Sequence, residues 1–518
     1  MTAGNHLVSF SPPAGYQGPR RSLVLAGGGM RVAYQAGVLR ALADAGLCFF
    51  HGDGTSGGTM NLAMLFSGLS PAEMCERWRS VNVKDFVSLL PLKEYLKAFD
   101  MIAMGDADGI EQKVFPHLGI DVSRINAAGG MAGTFNVCDY TRKTNVAVSH
   151  DAVDLPRLIA GISLPVFMPP VPHGGHLYVD SVWIKDANLS EAVRRGCEEI
   201  WLVWCIGNTA EYRTGVFNQY VHMIEMSANG VLFEEFRWIT ELNARIARGE
   251  PVDGRTRPIR LHVIKPEYPL PLDPDFYFGR IDAATLVALG YRDAHRYLAS
   301  HHPDGVPFEP EATSMTTPQP GISFRETMAG PFAWGATDPR AGAAQGEAQQ
   351  TALTMTATIL IRDIAAFIRD PAHPGELVGH IHWPPFGADI PAKTGVFNLF
   401  SPAGDPTMKL MVYELGFEHD GQDYYLAGKK EVRDDPGFDL WSDTTTLLTR
   451  LHRGKDASGP VVGAGVLRLG VAELTRLVRS MTAPGTDSIA ERTRAIAAFG
   501  RFFLGELWER YANLASDS

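Results

Sequence analysis

The chain has few cysteines for its length, and their distribution argues against a disulfide framework. Only five occur among 518 residues, none after position 205, and no two of them form a C-x-x-C pair. The sequence therefore predicts free, mostly buried thiols, a reducing compartment and no metal site. The five are Cys48, Cys75, Cys138, Cys197 and Cys205.

An excess of positive charge and a long apolar run are also lacking. Lysine and arginine number 47 against 58 acidic residues, for a net charge of −11, which argues against a nucleic-acid partner. Any transient contact with a membrane or lipid surface would have to be apolar or local. Residues 1–21 contain no apolar core of a signal peptide, and no stretch approaches the ~18 uncharged apolar residues of a membrane span. We expect a soluble, cytoplasmic protein.

The remaining composition, 45% hydrophobic and 20% charged, is that of a globular protein with two or three domains. Up to about residue 300, short apolar runs alternate with amphipathic helical patterns. This alternation predicts an α/β domain over residues 21–300, with three layers and a mainly parallel sheet, after an N-terminal extension over 1–20. Buried strands are predicted at 22–26, 47–50, 199–205 and 259–264.

The pattern changes in the last third of the chain. Residues 301–350 are rich in proline, histidine and small polar residues, which predicts a linker and a loop. From 351 to 518, several segments alternate between apolar and polar residues with a period of two, separated by turn residues. We expect a β-rich domain, a sandwich or an open barrel, that ends in two helices.

Two glycine-rich stretches near the N-terminus carry the chemistry. An apolar strand ends in Gly27-Gly28-Gly29 and opens a helix, so its backbone amides could face an oxyanion with help from the helix dipole. The second stretch, residues 54–58, fits the G-x-S-x-G nucleophile elbow, in which glycines let neighbouring backbone pass close to Ser56.

These stretches resemble the patatin-like phospholipases. Gly27-Gly28-Gly29-Met30-Arg31 matches the G-G-G-x-R motif of that family, and residues 54–58 match its G-x-S-x-G. Its later D-G-[GA] survives only as Asp180, because Ser181-Val182 stands where the family has two small residues. Residues 163–170 and Asn188 add flanking similarity. The resemblance extends over about residues 18–300 and implies a patatin-like fold.

The resemblance also implies lipid acyl hydrolysis through an acyl-Ser56 intermediate, without cofactor, metal or catalytic histidine. Ser56 would be the nucleophile and Asp180 the base of a Ser-Asp dyad. The predicted oxyanion hole comprises the amides of Gly27, Gly28 and Gly29, with Gly57 and Arg31 as additional contributors. A carboxylate with a pKa near 4 is a poor base at neutral pH unless its surroundings raise that pKa.

Other interpretations of the same residues stay open at this stage. Ser56 could be a turn serine that caps the next helix, and Asp180 a solvated carboxylate at a strand end. A Ser-His-Asp triad could use His51, His173 or His176. The degraded third motif also allows a catalytically weakened lipid-binding protein. A dinucleotide site is disfavoured, because the glycine run lacks the small sixth residue of that fingerprint.

The C-terminal region contains polar-aromatic stretches at 324–330, 395–400 and 439–446. They are similar to an accessory region of bacterial cholesterol-oxidase-like proteins of the glucose-methanol-choline type. This similarity implies a module that recognises lipid or sterol esters beside the hydrolase. A structural appendage, an oligomer contact or a partner-recruiting module would fit the same stretches, and the oligomeric state stays open.

Overall fold

The computed structural model describes residues 6–86, 88–89, 103, 105–277, 279–405, 408–433 and 444–512. The chain divides into two compact units. The first comprises Met1–Phe278 and Asp282–Thr317, and the second comprises Gly279–Ile281 and Pro318–Ser518. Of the polar-aromatic stretch noted at 439–446, residues 439–443 lie outside the described residues.

Within the described residues, the first unit is built on an eight-stranded sheet. Five strands are parallel, in the order β8-β7-β1-β2-β3, and β6 continues the sheet antiparallel to β3, followed by β5. β4 also pairs antiparallel with β3. The strands are β1 (Arg21–Leu25), β2 (His51–Gly54), β3 (Ala132–Asp139), β4 (Thr144–Ser149), β5 (Val171–His173), β6 (His176–Val179), β7 (Glu199–Val203) and β8 (Arg260–Ile264).

The helices of this unit follow the predicted alternation with the strands. They are α1 (Ala33–Asp44), α2 (Gly57–Phe66), α3 (Pro71–Arg79), α4 (Phe115–Leu118), α5 (Val122–Asn126), α6 (Leu155–Ala160), α7 (Val182–Lys185), α8 (Leu189–Arg194), α9 (Val216–Ala247), α10 (Asp273–Tyr277) and α11 (Ala283–Ser300). A short 3-10 helix, Gly29–Val32, precedes α1.

Helices cover both faces of the parallel sheet. On β7, Ile200 and Leu202 belong to a buried cluster that includes Leu232 and Phe236 of α9. Trp201 points to the other face, where its ring packs edge-on against Tyr297 of α11 at a centroid distance of 6.1 Å. Because successive strand residues face opposite sides, one fully apolar strand serves both helix layers. The predicted three-layer α/β architecture with a mainly parallel sheet is confirmed.

The strand that leads to Ser56 differs from the prediction. It is His51–Gly54 rather than the apolar 47–50, and all four of its residues are buried. Polar side chains are tolerated there because they bond across the sheet. His51 lies between Ser22 and Thr134 at 2.8 and 2.9 Å, and Asp53 accepts a 2.5 Å hydrogen bond from the Thr134 hydroxyl.

The second unit is a closed antiparallel barrel. Among the residues that the structure describes, eight strands form a ring in the order β10-β9-β17-β16-β15-β14-β13-β11, and β11 closes it by pairing with β10. β12 pairs with β11 outside the ring. The strands are β9 (Ile322–Trp334), β10 (Ala352–Ile361), β11 (Pro374–Trp383), β12 (Gly387–Pro391), β13 (Thr394–Pro402), β14 (Met408–His419), β15 (Gln422–Arg433), β16 (Thr446–Arg453) and β17 (Val461–Arg468).

This unit confirms the predicted β-rich domain but corrects its form and its start. The barrel is closed rather than open, and residues 301–350, predicted as linker and loop, contain β9 and a helix. Apolar residues recur with period two along the first part of β9, but Glu326, Gly330 and Pro331 interrupt the pattern. The helices are α12 (Pro339–Gln349), α13 (Ile364–Arg369), α14 (Val471–Ser480) and α15 (Ile489–Ala512).

A buried ion pair in the barrel gives a stability prediction. Lys430 Nζ lies 3.3 Å from Glu326 Oε1, and both residues are under 5% exposed. Lys430→Ala should leave the Glu326 carboxylate buried and uncompensated, so we expect a loss of about 3–5 kcal/mol in the free energy of unfolding. Denaturant unfolding of the full chain, followed with probes for each unit, measures it. The double variant Glu326→Leu/Lys430→Met should recover most of the loss, and no recovery would contradict this account.

Candidate active site

Ser56 occupies a strained turn between β2 and α2. Its φ of 53° and ψ of −130° are rare for a residue with a side chain, and such outliers cluster at functional sites. Its side chain makes no capping hydrogen bond to α2, so the interpretation of Ser56 as a helix cap finds no support. A Cβ on Gly58 would lie 2.2 Å from the Leu25 carbonyl oxygen, which explains why the last position of the elbow is glycine.

The glycine-rich turn, formed by Gly27, Gly28 and Gly29, lies directly against this elbow. A Cβ on Gly27 would come within 2.9 Å of Ser56 Cβ, and one on Gly57 within 2.6 Å of the Gly29 carbonyl oxygen. The close approach of the two backbones therefore requires glycine at both positions. The structure thus brings together the two stretches that the sequence singled out.

Asp180 follows β6 and is 1% exposed. Its Oδ1 accepts a 2.8 Å hydrogen bond from the Val182 amide. Burial raises the pKa of its carboxyl to about 7, against the lowering effects of hydrogen bonds from the Ser56 side chain and the Val182 amide. Oδ2 has no partner of full hydrogen-bond geometry within the described residues, so the Ser56 contact is looser than an ordinary bond. Loose contacts of this kind commonly tighten when substrate binds.

The departure from the family motif after Asp180 costs no backbone strain. Ser181 has φ −86° and ψ −3°, a right-handed conformation open to any residue, and it precedes the short helix α7. Glycine is therefore not required there for conformational reasons. The Val182 amide, at the start of α7, is the group that bonds the Asp180 carboxylate.

The backbone amides around Ser56 differ in whether they donate a hydrogen bond within the protein. The Gly27 amide donates to Asp186 Oδ1 at 3.0 Å, so it is not available to an oxyanion, contrary to the prediction. Arg31 Nε donates to the Gly28 carbonyl at 2.9 Å and thus braces the turn. Within the described residues, the amides of Gly28, Gly29 and Gly57 donate to no protein acceptor. These three amides could receive an oxyanion.

Two acidic residues that sequence reasoning missed hold the turn. Asp186 is 1% exposed, and burial, followed by the charge of Asp180, raises the pKa of its carboxyl to about 8. Asp273, at the start of α10, accepts a 3.0 Å hydrogen bond from the Met30 amide. Asp186 comes six residues after Asp180, and a second acid so soon after the first was the available signal. Asp273 lies far along the chain, where no local pattern marks it.

The three histidines weighed for a triad are engaged elsewhere. Burial lowers the pKa of His51 to about 3, and both ring nitrogens bond the hydroxyls of Ser22 and Thr134. His173 lies 3.2 Å from Asp154, and His176 lies 3.1 Å from Asp139. A base must reach the hydroxyl whose proton it takes. This geometry favours a carboxylate over a histidine as the partner of Ser56.

Two surveys of the described residues concern metals and membranes. No group of three or more histidine, cysteine, aspartate or glutamate residues in this part of the chain is placed to hold a metal ion. Among its helices, none combines the length and the apolar character needed to cross a membrane. The five cysteines are buried and unpaired.

A serine on a strained strand-to-helix turn of a parallel sheet is similar to the nucleophile elbow of the α/β hydrolases. A family model described as patatin-like phospholipase matches residues 23–193. This range includes Ser56, Asp180 and the glycine-rich turn, and the family consists generally of lipid acyl hydrolases. No curated protein matches the chain. The match does not reach the barrel, whose similarity to the cholesterol-oxidase-like accessory region is not confirmed.

Proposed function

We propose that the protein is a serine-dependent lipid acyl hydrolase that cleaves carboxylic esters with a Ser56–Asp180 dyad. The observation that carries the proposal is the meeting of the strained Ser56, the buried Asp180 carboxyl and three unpaired amides. Lipid esters are the substrate class because of the match to the patatin-like phospholipases.

In the proposed reaction, Asp180 accepts the Ser56 proton while the hydroxyl oxygen attacks the ester carbonyl. The negative charge that develops on the carbonyl oxygen is received by the amides of Gly28, Gly29 and Gly57. Protonated Asp180 then gives its proton to the departing alkoxide, which leaves acyl-Ser56. Water, activated by Asp180 in turn, releases the fatty acid and restores the serine.

The raised pKa of Asp180 removes the objection that a carboxylate is too weak a base. A proton acceptor works best when its pKa lies near the operating pH, and burial brings this carboxyl to about 7. In this proposal the base is Asp180 rather than Asp186, because the Ser56 side chain bonds the Asp180 carboxyl, whereas the Asp186 carboxyl is bonded by the Gly27 amide.

A fluorophosphonate probe provides the first test. The wild-type protein should become labelled at Ser56, and a panel of phospholipids and acylglycerols should show release of fatty acid. Ser56→Ala should remain unlabelled while folding normally. A folded wild-type protein that neither reacts with the probe nor hydrolyses any ester would favour the second candidate, a catalytically weakened lipid-binding protein. The absence of a hydrogen-bond partner for Asp180 Oδ2 within the described residues also fits that candidate.

The pH dependence gives a further prediction. Only the ionised Asp180 can accept the proton, so kcat/KM on a short soluble ester should rise with pH to a plateau, with its midpoint near the Asp180 pKa of about 7. Below the midpoint we expect about a tenfold loss per pH unit. Initial rates between about pH 5 and 9 measure this.

Asp186→Asn is the control for this profile. The asparagine keeps an acceptor oxygen for the Gly27 amide, and Asp186 is already protonated at pH 7 because its pKa is about 8. The midpoint should therefore stay where it is. If the pH dependence disappeared in Asp186→Asn, the base would be Asp186. If the midpoint of the wild-type profile lay near pH 4, the raised pKa of the buried Asp180 carboxyl would be contradicted.

A further inference from the structure

Buried and partly buried polar side chains form a continuous chain of hydrogen bonds beside the dyad. The Ser181 hydroxyl donates to Asn145 Oδ1 at 2.5 Å, and Asn145 Nδ2 donates to Asn136 Oδ1 at 2.9 Å. Asn136 Nδ2 then donates to Asp53 Oδ1 at 2.6 Å and to the Gly54 carbonyl at 3.2 Å. Ser181, Asn136 and Asp53 are fully buried. We call these four side chains the 53–181 chain.

The two ends of the 53–181 chain are the segments that carry the dyad. Asp53 and Gly54 end strand β2, and Ser56 follows two residues later. At the other end, Ser181 is the residue directly after Asp180. β2 and β6 do not pair with each other, because both are neighbours of β3. Asn136 on β3 and Asn145 on β4 therefore link two segments that the sheet joins only indirectly.

Two members of the 53–181 chain, Asp53 and Asn136, have further partners outside it. Asp53 Oδ2 accepts from the Thr134 hydroxyl at 2.5 Å, so both oxygens of this buried carboxylate are bonded. Asn136 Oδ1 also accepts from Asn188 Nδ2 at 2.8 Å. Because buried polar groups without partners are costly, these bonds restrict the geometry of the network. Loss of one member leaves its neighbours unpaired.

Resting on the proposed function, we propose that the 53–181 chain sets the position of Asp180 relative to Ser56, with Asn145 as the positioning residue. This assignment gives a reason for Ser181, where the patatin-like motif has a small residue. A glycine would have no hydroxyl for Asn145, whereas serine fits the right-handed backbone without strain and bonds it. Asn145 bonds Ser181 and Asn136 rather than Ser56, so its effect on Asp180 is transmitted through Ser181.

The expected effect falls on the chemical step. Asn145→Ala leaves the Ser181 hydroxyl without its acceptor and frees the turn that holds Asp180. A displacement of about 1 Å in a reacting group can cost about 100-fold in rate. We expect kcat on a short soluble ester to fall about 10- to 100-fold, with KM nearly unchanged, because no group that binds the ester is removed.

The experiment compares four full-length proteins with the wild type: Asn145→Ala, Ser181→Ala, the double variant and the control Asn126→Ala. Asn126 is also a partly buried amide, and it donates to the carbonyls of His150 and Val153, outside the 53–181 chain. kcat, KM and the melting temperature are measured for each. If Asn145 and Ser181 act on Asp180 through their shared bond, the double variant should lose no more activity than Asn145→Ala alone.

Asn126→Ala separates positioning from general destabilisation. It should keep the wild-type kcat even if its melting temperature falls as far as that of Asn145→Ala. An unchanged kcat in folded Asn145→Ala, or losses that multiply in the double variant, would overturn the proposal while the proposed function stands. Absence of Ser56-dependent hydrolysis in the wild type, established with Ser56→Ala, would overturn the proposed function and this assignment with it.

Discussion

Replacing Ser56 by alanine is expected to abolish ester hydrolysis, with kcat reduced at least about 10⁴-fold. The hydroxyl oxygen is the proposed nucleophile, and the neighbouring Ser-Gly-Gly turn offers no second group that could form an acyl intermediate. Alanine meets the same backbone restriction as serine at φ 53°, so the strained turn should be retained. Steady-state hydrolysis of a chromogenic short-chain ester measures kcat, and fluorophosphonate labelling shows whether position 56 still reacts.

Asp180→Asn should cause a comparable loss, because the amide keeps the shape of the side chain but cannot accept the Ser56 proton. His176→Ala is the matched comparison, since His176 lies nearby in sequence but bonds Asp139 instead. We expect His176→Ala to stay active. If His176→Ala abolished hydrolysis and Asp180→Asn did not, the dyad would be wrong and a triad would take its place. Circular dichroism and melting temperatures show whether each variant is folded.

The sequence predicted the elbow and the glycine-rich turn because their glycines answer a local requirement. Gly58 and Gly27 sit where a Cβ would collide with neighbouring backbone or side chains, and such demands are visible in a short motif. The parallel sheet and its helices were equally predictable from apolar runs and helical periodicity. These features depend on residues close together in the chain.

The position of the strand before Ser56 was predicted wrongly for a different reason. Its side chains are polar, so no hydrophobic pattern marks it. Asp53 is tolerated in the interior because Thr134 and Asn136 bond it from β3, which pairs with β2 but lies far along the chain. The engagement of the Gly27 amide by Asp186 is likewise a tertiary contact. Barrel closure depends on the pairing of β10 with β11, which alternation along each strand does not reveal. All three features thus depend on contacts between residues far apart in the chain, which local sequence patterns do not reveal.

Gly29→Ala is also expected to have a large effect, this time through the proposed oxyanion hole. At φ +57°, a Cβ on Gly29 would lie 2.6 Å from Asp273 Oδ2 and 2.8 Å from Oδ1, the oxygen that accepts from the Met30 amide. Either the carboxylate or the turn must move, and both changes reorient the amides proposed to receive the oxyanion. Loss of one such donor typically costs 10²- to 10³-fold in kcat, and we expect about 100-fold here.

Gly174→Ala separates this effect from backbone strain. Gly174 has the same φ of +57° but nothing within 4 Å of its Cβ position, so alanine meets only the cost of the left-handed conformation. Both variants should lose similar stability from that cost, about 1 kcal/mol, whereas only Gly29→Ala should lose kcat. Because the oxyanion forms only in the transition state, KM should change little in either variant. Equal losses of kcat in the two variants would show that strain, rather than the amides of the turn, governs activity.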